Sequence, residues 1–246
     1  MDRMLYVAMS GAKETMLAQS ANNNNLANAS TTGFRADLQQ FRSMPVFGNG
    51  HPTRVYAMSE RPATDFTAGP LIQTDRDLDV AINGNGWIAV QAKDGTEAYT
   101  RAGDFRTDVN GMLTTGTGLP VMGDGGPIAI PPADKVIIAA DGTISIRPPG
   151  ANPNELAVVE RIKLVNPDLQ QMKKGNDGLI RTNDGQPAEA DANVRLVQGA
   201  IEGSNVNPAE ALVDMIELSR RFELQVKMMK TADTNAERSA ALMRAS

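Results

Sequence analysis

Both ends of the chain carry apolar residues in a 4-3 alternation, and the stretch between them reads as β-structure. Near the N-terminus the stripe runs Leu5, Met9, Ala12, Met16, with Gln19, Asn23 and Leu26 continuing the spacing. Near the C-terminus it runs Leu212, Met215, Ser219, Phe222, Val226, Met229, Asp233, Ala236, Ala240 and Met243. That alternation keeps a narrow seam on one side of a helix, the pattern of a coiled coil. Nearly two hundred residues separate the two stripes, so they can pair only if the fold brings the ends together. The expected fold is α+β: N- and C-terminal helices pairing as a coiled-coil-like domain (residues 1–33 and 204–246), an extended Gly/Pro-rich connector (34–75), and a middle antiparallel β-rich domain (76–203).

Local punctuation sets the boundaries. Residues 2–27 read as a helix weakened by the polar run Asn22 to Asn25, and Gly33 offers a positive-φ stop after it. Pro45, Gly48, Gly50, Pro52, Pro62, Gly69 and Pro70 interrupt the connector, which predicts extended chain with a few short strands. Beyond Leu78 the turn pairs begin. Asn83-Gly84-Asn85-Gly86 leads into Trp87–Gln91, Asp94-Gly95 closes onto Ala98–Thr100, Asn110-Gly111 offers another hairpin, and Asp141-Gly142 joins Val136–Ile138 to Thr143–Ile146. Asn-Gly and Asp-Gly adopt the turns whose twist matches paired strands. Arg161–Val165, Leu179–Arg181 and Val194–Val197 are further strand candidates. At the exit Asn207 suits an N-cap, Pro208 the first helical position and Glu210 the third. Neither glycine nor proline then interrupts the chain up to Met243, so one long helix is expected.

Bulk composition narrows the function classes. The net charge of −5 argues against a nucleic-acid partner, which demands a basic surface. Its placement says more: residues 203–246 hold six acids and six bases, and residues 1–30 balance Asp2 and Glu14 against Arg3 and Lys13. The terminal segments are thus neutral with mixed signs and can lie side by side without long-range repulsion. No cysteine is present, so neither a disulfide framework nor thiol chemistry is expected. The apolar run Met4–Ala8 is too short for a secretory signal, Asp2 stands where a basic flank belongs, and no run approaches a membrane span.

Catalytic patterns are weak throughout. Asp75, Asp77 and Asp79 would share one face of a strand, as cation ligands do, but Arg76 lies among them and alternating acids commonly mark a solvated edge. His51 is the single histidine and no nucleophile elbow exists for it to serve. Gly84/Gly86 and Gly123/Gly125/Gly126 lack the companions of a phosphate cradle and read as turns. No enzyme activity, metal, cofactor or small-molecule substrate is expected. The stripes themselves could be ordinary core helices. Against that, the C-terminal stripe outlasts most globular helices, and Ser219 and Asp233 break it as register-setting residues do. Leu5, Met9, Met16, Leu26, Leu212, Met215, Phe222, Val226, Met229, Ala236 and Met243 are therefore expected at subunit interfaces.

Several blocks resemble one family, the flagellar axial proteins that form rod and hook. LANASTTGFRAD (26–37) is similar to its signature after the N-terminal helix, and DLDVAINGNGWIAVQ (77–91) and YTRAGDFRTDVNGMLTTGTGLPVMG (99–123) to the opening of its β-domain. GAIEGSNVNPAEALVDMIELSRRFELQVKMMKTAD (199–233) is similar to its C-terminal helix. The opening MDRMLYVAMSGAKETM and the run Arg220-Arg221-Phe222-Glu223 resemble the proximal rod type, with the distal rod type the nearer alternative and a secreted glycan-binding β-domain the remoter one. The resemblance implies a structural subunit of the periplasmic rod, exported uncleaved by the flagellar export apparatus. Its implied partners are copies of itself and other rod proteins, proximal and distal. It also implies that the terminal helices form an inner tube and the β-domain an outer layer.

Overall fold

A computed structural model describes residues 3–45, 55–152 and 155–244. The chain divides into two compact units: one of residues 1–29, 36–65 and 206–246, the other of 30–35 and 66–205. Together they make an α+β protein with a helix at each end and antiparallel strands between.

The first unit holds helix α1 (Arg3–Ala27), strands β1 (Asp37–Pro45) and β2 (Val55–Thr64), and helix α2 (Pro208–Arg244). α2 starts where its sequence signals place it, with Asn207 Oδ1 accepting from the Ala209 N–H at 3.1 Å. Its 37 residues at 1.5 Å each give a rod about 55 Å long. β1 and β2 pair antiparallel from Asp37 opposite Thr64 to Pro45 opposite Val55, with a bulge between Leu38 and Gln40. Two strands of nine and ten residues thus stand where short strands in a connector were expected. Both pack against α1, and that tertiary support substitutes for the alternating pattern their sequences lack. The link 46–54, with His51, lies outside the described residues.

The polar run of α1, which on propensity alone weakens the helix, supplies tethers. Asn22 Nδ2 donates to the Ala211 carbonyl at 2.7 Å. Asn25 exchanges two hydrogen bonds with the backbone of Asp37: its Nδ2 donates to Asp37 O at 2.9 Å and its Oδ1 accepts from Asp37 N–H at 2.8 Å. That side-chain amide acts as a strand partner at the first residue of β1.

The second unit contains β3 (Leu71–Gln73), β4 (Val80–Asn83), β5 (Trp87–Gln91), β6 (Glu97–Thr100), β7 (Arg106–Thr107) and β8 (Leu113–Thr114). It continues with β9 (Lys135–Ile138), β10 (Thr143–Arg147), β11 (Ala157–Arg161) and β12 (Leu164–Val165). β13 (Met172–Lys174), β14 (Ile180–Thr182), β15 (Arg195–Gln198) and β16 (Ala200–Glu202) complete it. The largest sheet runs β12-β5-β6-β14-β13, a second runs β11-β10-β9, and β15-β4, β16-β3 and β7-β8 form ribbons. Asp94-Gly95 joins β5 to β6, Asn110-Gly111 joins β7 to β8, and Asp141-Gly142 joins β9 to β10, each glycine at positive φ. The strand expected over Arg161–Val165 is divided between β11 and β12, because Ile162 turns inward to pair with Gly123.

One core gathers Val80, Ile88, Val90, Phe105, Leu113, Ile128, Ile144 and Leu164, among others, in the aliphatic packing that few aromatics require. A smaller one on the opposite face of β5 holds Trp87, Ala89, Tyr99, Val165, Met172 and Ile180. Phe66 meets the Trp87 ring edge-on at 5.8 Å. Burial and the neighbouring Glu97 push the Tyr99 hydroxyl up to about 12, although the Ala188 N–H donates to it at 2.6 Å.

Asp75, Asp77 and Asp79 do not share a strand face. Asp75 sits at φ 57, Asp77 is exposed in a turn, and Asp79 is buried beside Arg76.

Candidate assembly surface

α1 and α2 run antiparallel within their unit, Asn22 bonding near the start of α2 while Gly11 lies against Gln225 further along. On the α1 side small residues dominate the contact. On α1 the buried positions are Ala8, Ala12, Glu14, Thr15 and Ala18; on α2 they are Ala211 and Ala232. Half-buried Met215, Leu218, Phe222, Gln225, Val226 and Met229 complete the inner face of α2.

The interface residues expected from sequence fall into two groups. Met215, Phe222, Val226 and Met229 belong to that inner face, and Leu26 is half-buried on α1. Leu5, Met9 and Met16 lie elsewhere: they line the exposed side of α1, with Met9 at 55% and Met16 at 58% exposure. Leu212, Ala236 and Met243 are also exposed. Within the α1 stripe Ala12 is buried while Leu5, Met9 and Met16 are exposed, because close helix approach selects alanine and glycine at the contact and leaves the large side chains outside.

α2 also carries an apolar face outside its 4-3 stripe. Val213, Ile216, Leu224 and Met228 are all exposed, Val213 at 64%. At 100° per residue they lie roughly opposite Phe222 and Met229. Their spacing drifts and charged residues intervene, including the Glu217–Arg221 ion pair, so no single template finds them. The signal that could have found them is a helix with apolar residues on two sides, which one partner cannot cover.

Elsewhere, a polar cleft of about 430 Å³ in the second unit is lined by Asn166, Gln171, Thr182, Asp184, Gln186 and Asp191, among others. Backbone N–H groups of Gln186 and Asn193 hold the Asp184 and Asp191 carboxyls below their usual range. Both are therefore fixed anions, not acid–base groups poised near neutrality. Among the described residues no set of three or more acidic or histidine side chains could hold a metal, and no helix is long and apolar enough to cross a membrane.

A helix at each chain end with antiparallel strands between them is the α+β arrangement implied by the resemblance to the flagellar axial proteins. Residues 5–35 match the family described as flagella basal body rod protein, 81–146 the FlgE/F/G D1 domain of flagellar hook protein, and 197–242 the C-terminal region of the flagellar basal body rod FlgEFG proteins. The chain is 44% identical over 249 residues to flagellar basal-body rod protein FlgF of Salmonella typhimurium, covering 99% of both. It is 44% identical to FlgF of Escherichia coli, again over 99% of each, and 36% identical to FlgF of Caulobacter vibrioides over 97% of this chain and 96% of that protein. The chain belongs to the flagellar basal-body rod protein FlgF family. It is a structural subunit of the basal-body rod and not an enzyme.

Proposed function

We propose that this subunit builds the proximal part of the periplasmic rod, its terminal helices pairing in coiled-coil fashion in an inner tube and its β-body forming the outer layer. The residues expected at its subunit interfaces are Leu5, Met9, Met16, Leu26, Leu212, Met215, Phe222, Val226, Met229, Ala236 and Met243. Its partners are copies of itself, other proximal and distal rod proteins, and, in transit, the flagellar export apparatus. One observation carries the reading: α1 and α2 are already packed on each other, yet Leu5, Met9 and Met16 remain bare on one helix and Val213, Ile216 and Leu224 on the other. Full burial of such a side chain is worth roughly 1.5–3 kcal/mol. Ordering a residue costs about 1–2 kcal/mol. A lone subunit gains none of that burial on its bare faces, and the balance favours docking once neighbours cover them.

The test is incorporation. A Met9→Asp, Met16→Asp double variant should be exported and fold with an unchanged circular dichroism melt, yet be missing from isolated basal bodies. Normal rods containing that variant would remove the bare stripe of α1 from the interface.

A further inference from the structure

The chain passes into or out of its β-rich unit at four places: after residue 29, after residue 35, before residue 66 and after residue 205. The stretches of that unit next to all four places meet on one residue, Glu202, which is 1% exposed. Its backbone carbonyl accepts from the Gly33 N–H at 2.7 Å. Its Oε1 accepts from Arg35 Nη2 at 2.6 Å and from the Gly69 N–H at 2.9 Å. Its Oε2 accepts from Arg101 Nη1 at 2.9 Å. Gly33 and Arg35 belong to the short segment between the first two crossings, Gly69 follows the third, and Glu202 itself precedes the fourth.

Arg101 ties this junction to the body. Its Nη2 donates to the Gly84 carbonyl at 2.9 Å, and the Trp87 ring lies 5.2 Å from its guanidinium carbon and 5.7 Å from that of Arg35. The aromatic face offers an electrostatic partner to guanidiniums whose Arg35 Nε, Arg35 Nη1 and Arg101 Nε make no hydrogen bond. Burial lowers the Arg101 pKa from its usual value, Glu202 opposes that shift and Arg35 adds to it. Gly33, at φ 67, brings its segment so close that a Cβ there would stand 2.3 Å from the Ala102 nitrogen. Secondary bonds link the same segments: Gly203 N–H to Pro70 O at 2.8 Å and Asn205 Nδ2 to Thr67 O at 3.2 Å.

Two buried cations share a single carboxylate. Apolar replacements of buried ion clusters commonly match or exceed their stability, so such a cluster is weak evidence of stabilisation. Its directional bonds constrain angle as well as distance between chain segments remote in sequence. We propose that Glu202 is a positioning residue that holds the four crossings as one root, so that twist entering through any one of them is shared by all. The load-sharing part of this inference rests on the shaft function proposed above.

Hydrogen exchange on the purified full chain tests the root directly. Arg35→Met removes one arm and leaves a neutral Arg101–Glu202 pair, so the body should stay folded. Exchange should rise about tenfold or more in residues 30–36, 67–71 and 203–206, while β5 and β10 keep their protection. Arg35→Lys should restore part of it. Unchanged exchange in those three segments, or a uniform rise through the body, would overturn the proposal. In cells, strains carrying Arg35→Met should assemble rods and swim in dilute medium but lose swimming in viscous medium. Undiminished swimming under load, or missing rods, would overturn the load-sharing role. Normal motility after deletion of the gene would instead overturn the shaft function and leave the exchange result standing.

Discussion

Gly11 of α1 lies directly against Gln225 of α2: a Cβ on residue 11 would stand 2.9 Å from the amide carbon and nitrogen of that side chain. The obstacle is the far end of a flexible chain, so a methyl group can displace it. Gly11→Ala should therefore be neutral or stabilising, because the gain in helix propensity, about 1 kcal/mol, offsets the rearrangement. Gly11→Leu should force the helices apart and lower the thermal midpoint of helical signal, and Gln225→Ala in the same chain should recover part of the loss. Equal melts for Gly11→Leu and the parent would show that the helices do not pack closely here.

The two sides of α2 should respond oppositely to charge. Ile216 is 57% exposed, whereas Phe222 lies on the half-buried face toward α1. Ile216→Asp should change monomer stability by no more than about 0.5 kcal/mol and prevent incorporation into basal bodies. Phe222→Asp should cost the helical unit about 3 kcal/mol by exchanging a packed ring for a carboxylate. Val226→Asp, on the same inner face, should behave likewise, with the β-body folded in both. Chemical denaturation of each variant, followed by helical signal, separates these effects from assembly.

Asp79 and Asp104 face each other across an antiparallel bridge, which puts both carboxylates on one side of the pair. Burial raises the Asp104 pKa above its ordinary 3.8, and the Asp79 charge adds to that against Arg106 and the Gly116 N–H. A carboxyl whose folded pKa is raised favours folding most below the unfolded value, and that contribution is lost as pH rises through the folded value. At neutral pH the ionised Asp104 is thus a cost. Asp104→Asn should raise stability in urea melts at neutral pH, with an advantage that shrinks as the pH falls toward about 4. A pH-independent difference would show that the carboxylate charge is not the cause.

Local chemistry made some elements legible and left others dark. Asn207 and Pro208 announced α2, and Asp94-Gly95 and Asp141-Gly142 announced their hairpins, because each signal acts within a few residues. β1 and β2 carry no such mark: Arg42, Ser43 and Pro45 give no alternation, and their support comes from α1 in space. The 4-3 stripe of α1 marks large apolar residues for subunit interfaces but carries no sign of which side of the helix α2 takes. Small residues set that side, at Ala8, Gly11, Ala12, Thr15 and Ala18, and Met9 and Met16 stay outside. Glu202 was invisible for a different reason. Its partners Gly33, Arg35, Gly69 and Arg101 are scattered over the sequence, and only the fold assembles them.

Asn25 offers the sharpest single-residue test of how α1 supports β1. Its amide both donates to and accepts from the Asp37 backbone, at 2.9 and 2.8 Å, so removing it leaves one N–H and one C=O in need of partners. A two-stranded ribbon is marginal in water without such support. Asn25→Ala should cost about 1–2 kcal/mol. Asn25→Asp should cost more, since the carboxylate keeps the acceptor for the Asp37 N–H but sets a second, negatively charged oxygen against the Asp37 carbonyl. The loss should be local: hydrogen exchange should accelerate in residues 37–45 and leave β5 and the centre of α2 unchanged. If exchange over 37–45 is the same in all three proteins, the ribbon is held by its packing on α1 alone and the amide tether contributes nothing to it.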